Sequence, residues 1–526
     1  MTKNRIAIPV YRTVLNNFPR SQHRPILINV GIQISIKPRW NFRKANWHTF
    51  AKSIDANIRW IKPTTNNYDR FFGIVKGAAK RCVPRGYRRD YMPCWNPESN
   101  QLYTEYQKNS TTELTDMLLT SLAKSRKERW IETMEKLDFK HSSREAWNLL
   151  RRLDSNPTRT KSILKIKPDE FANRIIEMTR ATMDKETARK VIMNLKTKKR
   201  EATDRSKWAE NFFSEEVQIA LKSRAGLDGI HPEFLKNCGP NTRKWLADFF
   251  SDILCSGKLP KLFKTTKVLT ALKPEKPNDD THIATKLLER LIYNRISKTI
   301  DEVLPQEQAG FCPQRNFCDQ VMALTTHIEN GYDKKLKTAV AFVDLSSAYD
   351  TVWRKDLLSK FLDVIPCKTL LTLLNNMLSN RQLTVYIGEE KSKTRVLNNG
   401  LPQGSVLGPL LFNLYTKDLP STYSKKFIYA DDIALASQST SFEGLEEPLT
   451  NDLSKLDSYF KRWRLKPNPT KTEVTVFHLN NKKASQEINI NFGGQEVRNT
   501  KHPKYLGVVL DRTLTYREHL TRLSAK

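Results

Sequence analysis

The sequence predicts an α+β fold, and three observations predict it. Residues from about 45 to 200 are polar, basic and mostly of helical pattern, and 205–330 are mainly helical with loops. Beyond about 335 come short apolar runs rich in Val, Ile, Phe and Tyr, which read as buried strands. One of these runs, Phe427-Ile428-Tyr429-Ala430-Asp431-Asp432-Ile433-Ala434-Leu435, is broken by two adjacent carboxylates. Two acids in a buried strand pair are costly unless a cation neutralises them.

In chain order, residues 1–40 read as short strands, with Ile26–Val30 the clearest. A helix is expected over 114–137. A second starts at the capping box Ser142-Ser143-Arg144-Glu145 and buries Trp147, Leu150 and Leu153. The cluster Lys196-Thr197-Lys198-Lys199-Arg200 reads as a solvated linker at a boundary, with phosphate contact or a nuclear address as its other readings. Residues 339–343 read as a buried strand ending at Asp344, and 383–387 as an alternating one. Pro448 stands as the first residue of a helix whose Leu449, Leu453, Leu456, Phe460 and Trp463 form a core stripe. Residues 474–477 and 505–510 read as two further strands.

Composition bounds the function. The chain has 526 residues, 39% of them apolar, which allows several packed cores. Lys plus Arg number 89 against 56 Asp plus Glu, a formal net charge of +33. Such an excess points to a polyanionic partner, most simply nucleic acid. The seven cysteines are irregularly spaced and include no CxxC pair, so neither a zinc site nor a disulfide framework is expected. That usage fits a reduced intracellular compartment, nuclear or cytoplasmic. The N-terminus lacks a signal-peptide core, and no apolar stretch is long enough to span a membrane.

Asp344 at the end of one strand and Asp431-Asp432 between two others can converge on one rim of a sheet. Hard cations such as Mg²⁺ take carboxylate oxygens, and two metals about 4 Å apart support phosphoryl transfer. Between the two acidic centres lies Asn398-Asn399-Gly400-Leu401-Pro402-Gln403-Gly404-Ser405-Val406-Leu407-Gly408-Pro409, which opens the apolar run Leu410-Leu411-Phe412. A Gly-rich turn before a helix lets backbone approach a ligand closely.

Asp344-Leu345-Ser346-Ser347-Ala348-Tyr349-Asp350, Leu401-Pro402-Gln403-Gly404-Ser405 and Tyr429-Ala430-Asp431-Asp432 resemble the successive core motifs of reverse transcriptases. The resemblance is closer to non-LTR retrotransposons of the jockey-like type. Lys286-Leu287-Leu288-Glu289-Arg290-Leu291-Ile292, Gln308-Ala309-Gly310-Phe311, Trp463 with Asn468-Pro469-Thr470-Lys471-Thr472, and Lys504-Tyr505-Leu506-Gly507 extend it over about residues 205–515. It implies a right-hand polymerase, with helical fingers, an antiparallel palm, a truncated thumb and a basic helical N-terminal extension. Asp344 and Asp431 would be the principal ligands of two Mg²⁺, replaceable by Mn²⁺, and Asp432 a less direct third acid. Leu345, Tyr349, Gln403 and Gly404 would line the nucleotide site, Tyr349 excluding a ribose 2′-hydroxyl. Lys471 would protonate pyrophosphate. Tyr505, Leu506 and Gly507 would grip the primer end. The partners would be an RNA template, a DNA primer and dNTPs, with no membrane.

The domains expected are an endonuclease remnant at 1–40, a basic helical linker region at 41–204, fingers at 205–330, a palm at 331–480, and the primer-grip hairpin with the start of a thumb at 481–526. Departures from the family pattern carry expectations of their own. Only Thr281-His282-Ile283-Ala284-Thr285 stands where the family has a Tyr-Arg-Pro-Ile segment, so an arginine expected on the triphosphate is missing, with Arg290 or Lys267 as candidates to compensate. Cys312 replaces another arginine. The sequence reaches Lys526 just past the primer-grip motif, which implies weaker clamping of template–primer. Ser21-Gln22-His23 resembles the Ser-Asp-His end of an apurinic-type endonuclease, but Gln22 replaces the orienting acid. His23 then reads as a relic, and no endonuclease activity is expected. The alternative to a working polymerase is a catalytically impaired, nucleic-acid-binding relic.

Overall fold

The computed structural model describes residues 10–14, 26–30, 39–86, 94–109, 111–135, 166–180, 185–204, 206–222, 232–269, 278–280, 283–387 and 390–525. The chain forms two compact units, Met1–Ala45 with Val83–Ser162, and Asn46–Cys82 with Ile163–Lys526. In the first unit, Val10–Val14 pairs antiparallel with Ile26–Val30, the strand read most clearly in the sequence. A helix over Thr112–Glu135 matches the one expected there. It packs on Pro97–Lys108, where Asn96 Nδ2 donates to Ser125 Oγ at 2.8 Å. The second expected helix near 142–153, and Ser21-Gln22-His23, lie outside the described residues.

The second unit mixes helix and sheet, as the α+β reading requires. Its principal elements are helices α1 (Trp47–Ile58), α2 (Tyr68–Cys82), α3 (Pro168–Thr179), α4 (Lys185–Glu201), α5 (Pro240–Ser256), α6 (Ile283–Asp301), α7 (Phe317–Asp333), α8 (Arg354–Val364), α9 (Gly408–Tyr415) and α10 (Glu443–Arg462). The main strands are β1 (Thr265–Leu269), β2 (Lys337–Val343), β3 (Arg381–Ile387), β4 (Lys425–Tyr429), β5 (Asp432–Ser439) and β6 (Glu473–Phe477). Helix α2 lies against α5 through stacked rings, Phe71 on Trp245 at 4.6 Å and Tyr68 on Phe249 at 5.6 Å, with Trp245 on Phe249 at 5.1 Å within α5, and α1 packs on both helices. Such pairs add about 0.5–1.5 kcal/mol each beyond their area burial.

Two sheets form. In one, β3 runs parallel to β1, flanked by Arg395–Leu397 and Asn278–Asp280. In the other the order is β4-β5-β2-β6, all antiparallel, with the short strand Arg498–Asn499 parallel to β6 at the edge. Strand β2 sits inside this central sheet, which is why its sequence is continuously apolar and not alternating. One face packs Val340, Phe427, Ala434 and Ala436 against Val321, Leu324 and Ile328 of α7 and against Tyr505 and Leu510. The other face is covered by α10, which buries Leu445, Leu449, Leu453, Leu456 and Phe460. Full burial of such a side chain contributes on the order of 1.5–3 kcal/mol.

Three sequence expectations are corrected. Pro448 does not open α10: the helix starts at Glu443, where Ser441 Oγ accepts the Gly444 N–H at 3.0 Å. A proline this near the start removes one intrahelical bond, and the buried stripe outweighs that loss. Lys196-Thr197-Lys198-Lys199-Arg200 is not a linker but the last turns of α4. Lys198 Nζ lies 2.6 Å from Asp363 and donates to Ser359 Oγ at 3.2 Å, both on α8, so the charged stretch is held as a helix by its neighbour. Residues 505–510 are not one strand. Lys504–Tyr505 folds back on Val508–Val509 through Leu506 and Gly507, at φ +47° and +91°. Two successive positive φ values define a tight hairpin turn, and Gly507 accepts its own without strain.

His478, just past β6, carries a pH prediction. It is 3% exposed, with its ring edge-on to Phe442 at 5.2 Å. Burial first, then the Arg512 and Lys337 charges, push its pKa from 6.5 down to about 4. The unfolded chain therefore binds the extra proton between those values. The contribution is full above about pH 6.5 and is lost as pH falls toward 4. Comparing urea midpoints at pH 7 and pH 5, the wild type should lose about 1–2 kcal/mol more than His478→Gln. Equal losses in the two proteins would rule this out.

Candidate active site

The site is built where β2 ends and the β4–β5 hairpin turns. Register pairs Val343 with Ile433 and Tyr429 with Asp432. One step further along the same register, Asp344 falls opposite Asp432, so the two acidic centres share one rim of the central sheet. Only Ala430 and Asp431 form the turn, with Ala430 at φ +60°. A positive φ at the first residue of a two-residue hairpin is a position that favours glycine, and an alanine there is strained. Asp431 is half-buried and Asp432 exposed.

Asp344 is pinned from the other side. Its carbonyl accepts the Asn468 N–H at 2.9 Å, and the Ser346 N–H donates to Lys466 O at 2.8 Å. Leu345 is buried and bridges Pro467. Lys471 is exposed on the turn that Asn468 begins, where its N–H donates to Asn468 O at 3.1 Å.

The loop after Asn398 is tethered at both ends. Arg354, 7% exposed, donates to three carbonyls where the loop leaves its strand: Leu397 O and Asn399 O at 2.8 Å and Gly400 O at 2.9 Å. Glu289 on α6, 2% exposed, accepts the Val406 N–H at 2.6 Å. Burial drives the Glu289 carboxyl upward, opposed by that bond. Between these anchors Gln403 and Gly404 are exposed, and Gln403 Nε2 donates to Asp350 Oδ2 at 3.3 Å. Burial raises the Asp350 pKa, and the Gln403 bond opposes it. Tyr349 stacks on Phe412 at 4.9 Å, so the packing role of this aromatic is present. Burial raises its phenol, as does the nearby Asp431 charge.

Tyr505 lies 5.6 Å from the Phe342 ring and donates to Phe427 O at 3.2 Å. Burial raises its phenol, with the Asp432 charge adding to the shift. Leu506 packs against the same core, and Gly507 completes the turn. The two cations proposed to compensate for a missing arginine differ in setting. The Arg290 guanidinium lies over the Tyr293 ring at 5.1 Å, with its Nε buried. Lys267 is exposed on β1, 6.0 Å from the Tyr386 ring. Cys312 is half-buried, its Sγ 3.6 Å from Gly310 O.

Sequence reasoning quoted Glu289 and Gln308 inside motifs but gave them no role, and it missed Arg354 and Asn413. Glu289 and Asn413 each interrupt an apolar helix stretch, a signal that a buried partner waits for them. Arg354 carried no such signal, since its partners are backbone carbonyls.

Among the described residues no group of three His, Cys, Asp or Glu side chains is close enough to hold a metal ion. The donor chemistry still fits Mg²⁺, which is usually held by one or two carboxylates together with substrate phosphates. Register supplies such carboxylates on one rim.

Parts of the chain are similar to known proteins. Residues 276–510 match the family described as reverse transcriptase (RNA-dependent DNA polymerase). The chain is 33% identical over 324 residues to a probable RNA-directed DNA polymerase from transposon BS of Drosophila melanogaster, covering 57% of this chain and 35% of that protein. It is 31% identical over 299 residues to the RNA-directed DNA polymerase from mobile element jockey of Drosophila funebris, covering 53% and 32%. The jockey polymerase of Drosophila melanogaster is 28% identical over 327 residues, covering 58% and 35%. The chain thus spans about a third of the length of the curated relatives it matches. No described helix is long and apolar enough to cross a membrane. Residues 276–510 thus form a reverse transcriptase domain, similar to those of the non-LTR retrotransposon polymerases above.

Proposed function

We propose that this domain catalyses RNA-directed DNA synthesis, adding deoxynucleotides to a primer 3′-end on an RNA template. The observation that carries the reading is the register that aligns Asp344 with Asp432 beside the strained Ala430–Asp431 turn. In this reading residues 205–330 are fingers, 331–480 the palm and 481–526 the primer-contacting segment. Asp344 and Asp431 would hold two Mg²⁺, or Mn²⁺ in their place, with Asp432 as a less direct third acid. Bound there, the ions would supply activation of the 3′-hydroxyl and neutralisation of phosphate charge.

The chain's own residues do the rest. Gln403 and Gly404, presented by a loop tied down through Arg354 and Glu289, would seat the incoming nucleotide with Leu345 below it. The Tyr349 ring, fixed by Phe412, would leave no room for a 2′-hydroxyl. Lys471, exposed beside Asp344, would donate a proton to the leaving pyrophosphate. The turn at Tyr505, Leu506 and Gly507 would hold the primer end. The +33 charge would draw template and primer together in a salt-dependent way.

The test is incorporation of labelled dTTP on poly(rA)/oligo(dT). Incorporation is expected with Mg²⁺ or Mn²⁺ and is expected to vanish under chelation. A folded protein that binds the duplex, yet incorporates nothing with either ion, would overturn the reading in favour of a binding relic.

A further inference from the structure

The stretch before α7 runs alongside β4 as an extra strand fragment. The Ala309 N–H donates to Ile428 O at 2.8 Å, and the Ile428 N–H donates to Glu307 O at 3.1 Å. Gln320 Nε2 ties both carbonyls together, at 3.1 Å from Glu307 O and 3.3 Å from Ile428 O. At the end of this fragment Gln308, 3% exposed, turns its side chain toward the acidic hairpin. Its Oε1 accepts the Ala430 N–H at 2.9 Å and the Gly310 N–H at 2.8 Å. Both partners are N–H donors, so the atom facing them is the amide oxygen and the orientation of the amide is not arbitrary. The Gly310 carbonyl in turn accepts from Asn413 Nδ2 at 2.7 Å, which joins this bracket to α9.

Ala430 is the strained residue of the turn. An alanine at positive φ persists only when its surroundings over-determine it. The geometry points to Gln308 as a positioning residue: its Oε1 locks the Ala430 amide and thereby aims the Asp431 carboxylate into the polymerase site. This rests on the polymerase reading for its consequence, though not for its geometry. Without the acceptor, Ala430 is free to relax toward negative φ, and the neighbouring Asp431 turns away from the rim it shares with Asp344.

The test uses the intact chain, with Gln308→Met to remove the acceptor at similar volume and Gln308→Glu to keep an acceptor. In the wild type, backbone hydrogen exchange should show the Ala430 amide protected although it lies in a turn. Rapid exchange there overturns the proposal before any variant is made. In Gln308→Met, exchange at Ala430 should accelerate while the rest of β4 and β5 stays protected. Mn²⁺ affinity, read by electron paramagnetic resonance, should fall about 10–100-fold, as should kcat, since supporting contacts to metal ligands carry effects of that size. The KM for dTTP and the salt-dependent affinity for duplex should hold, and Gln308→Glu should stay near wild type. Unchanged exchange and unchanged Mn²⁺ affinity in Gln308→Met would refute the positioning role. Equal damage in both variants would reduce Gln308 to core packing. Were the wild type to incorporate no nucleotide, the polymerase reading would fail, while exchange and Mn²⁺ affinity would still decide the role of Gln308.

Discussion

Replacing Asp431 and Asp432 together by alanine should lower nucleotide incorporation by about 10³-fold or more, because it removes the acidic oxygens that the hairpin brings to the rim beside Asp344. The loss should fall on kcat, with affinity for template–primer nearly unchanged, since phosphate contacts by the basic surface do not involve these carboxylates. The fold should survive. Asp432 is exposed and Asp431 half-buried, and removing two adjacent like charges relieves repulsion without opening a core cavity. Primer extension, duplex binding by anisotropy and a thermal melt, run side by side, check all three parts. A double variant that still incorporates at a tenth of the wild-type rate would mean that these acids are not the centre of the site.

The second large effect is expected from one methyl group. A Cβ placed on Gly310 would overlap the Ala430 nitrogen and approach Tyr429 C at 2.8 Å and Ala430 Cα at 2.9 Å. All three are backbone atoms of the acidic turn, so no flexible side chain can move aside. Gly310→Ala should therefore displace the turn itself. Overpacking of this kind costs about 1–3 kcal/mol of stability. The displacement should cost more in activity than in stability, because a shift of about 1 Å at a reacting centre can reduce rate about 100-fold. Gly77→Ala on α2 is the control. Nothing lies within 4 Å of its added Cβ, and a mid-helix Gly-to-Ala change should be neutral or stabilising by about 0.5–1 kcal/mol. Primer-extension rates and denaturant midpoints for the two variants separate the effects. Full activity in Gly310→Ala would show that the turn tolerates displacement.

What the sequence revealed, and what it hid, divides along physical lines. The strand β2 was legible because its run is continuously apolar, and β3 and β6 because their apolar, β-branched residues recur at strand spacing. The acidic hairpin was legible because charge within an apolar run is rare enough to stand out. The start of α10 was misread because Pro448 is a strong local signal and the Ser441 cap a weak one, while the buried leucine stripe decides the outcome. The hairpin at 504–509 was implied by the resemblance but not by the apolar pattern, because Leu506 adopts positive φ against its own preference, held by the core it packs into. Among the candidate residues, Asp344, Asp431 and Asp432 could be read from residue type, and Glu289 left a trace as a charge in an apolar helix stretch, but the roles of Gln308 and Arg354 could not be read. The work of these two is to bond backbone N–H and C=O groups, and backbone partners leave no trace in residue identity.

The aromatic stack joining α2 to α5 has a consequence for how this chain is made. Tyr68 and Phe71 are synthesised well before Trp245 and Phe249, the rings that cover them. At about 5–20 residues per second, the intervening translation lasts roughly 10–35 s. Throughout that interval the face of α2 that carries Tyr68 and Phe71 waits for its cover, while the whole 83–162 segment emerges after it. A nascent chain in this condition is a natural client for chaperones, and its yield should depend on translation speed between residues 82 and 256.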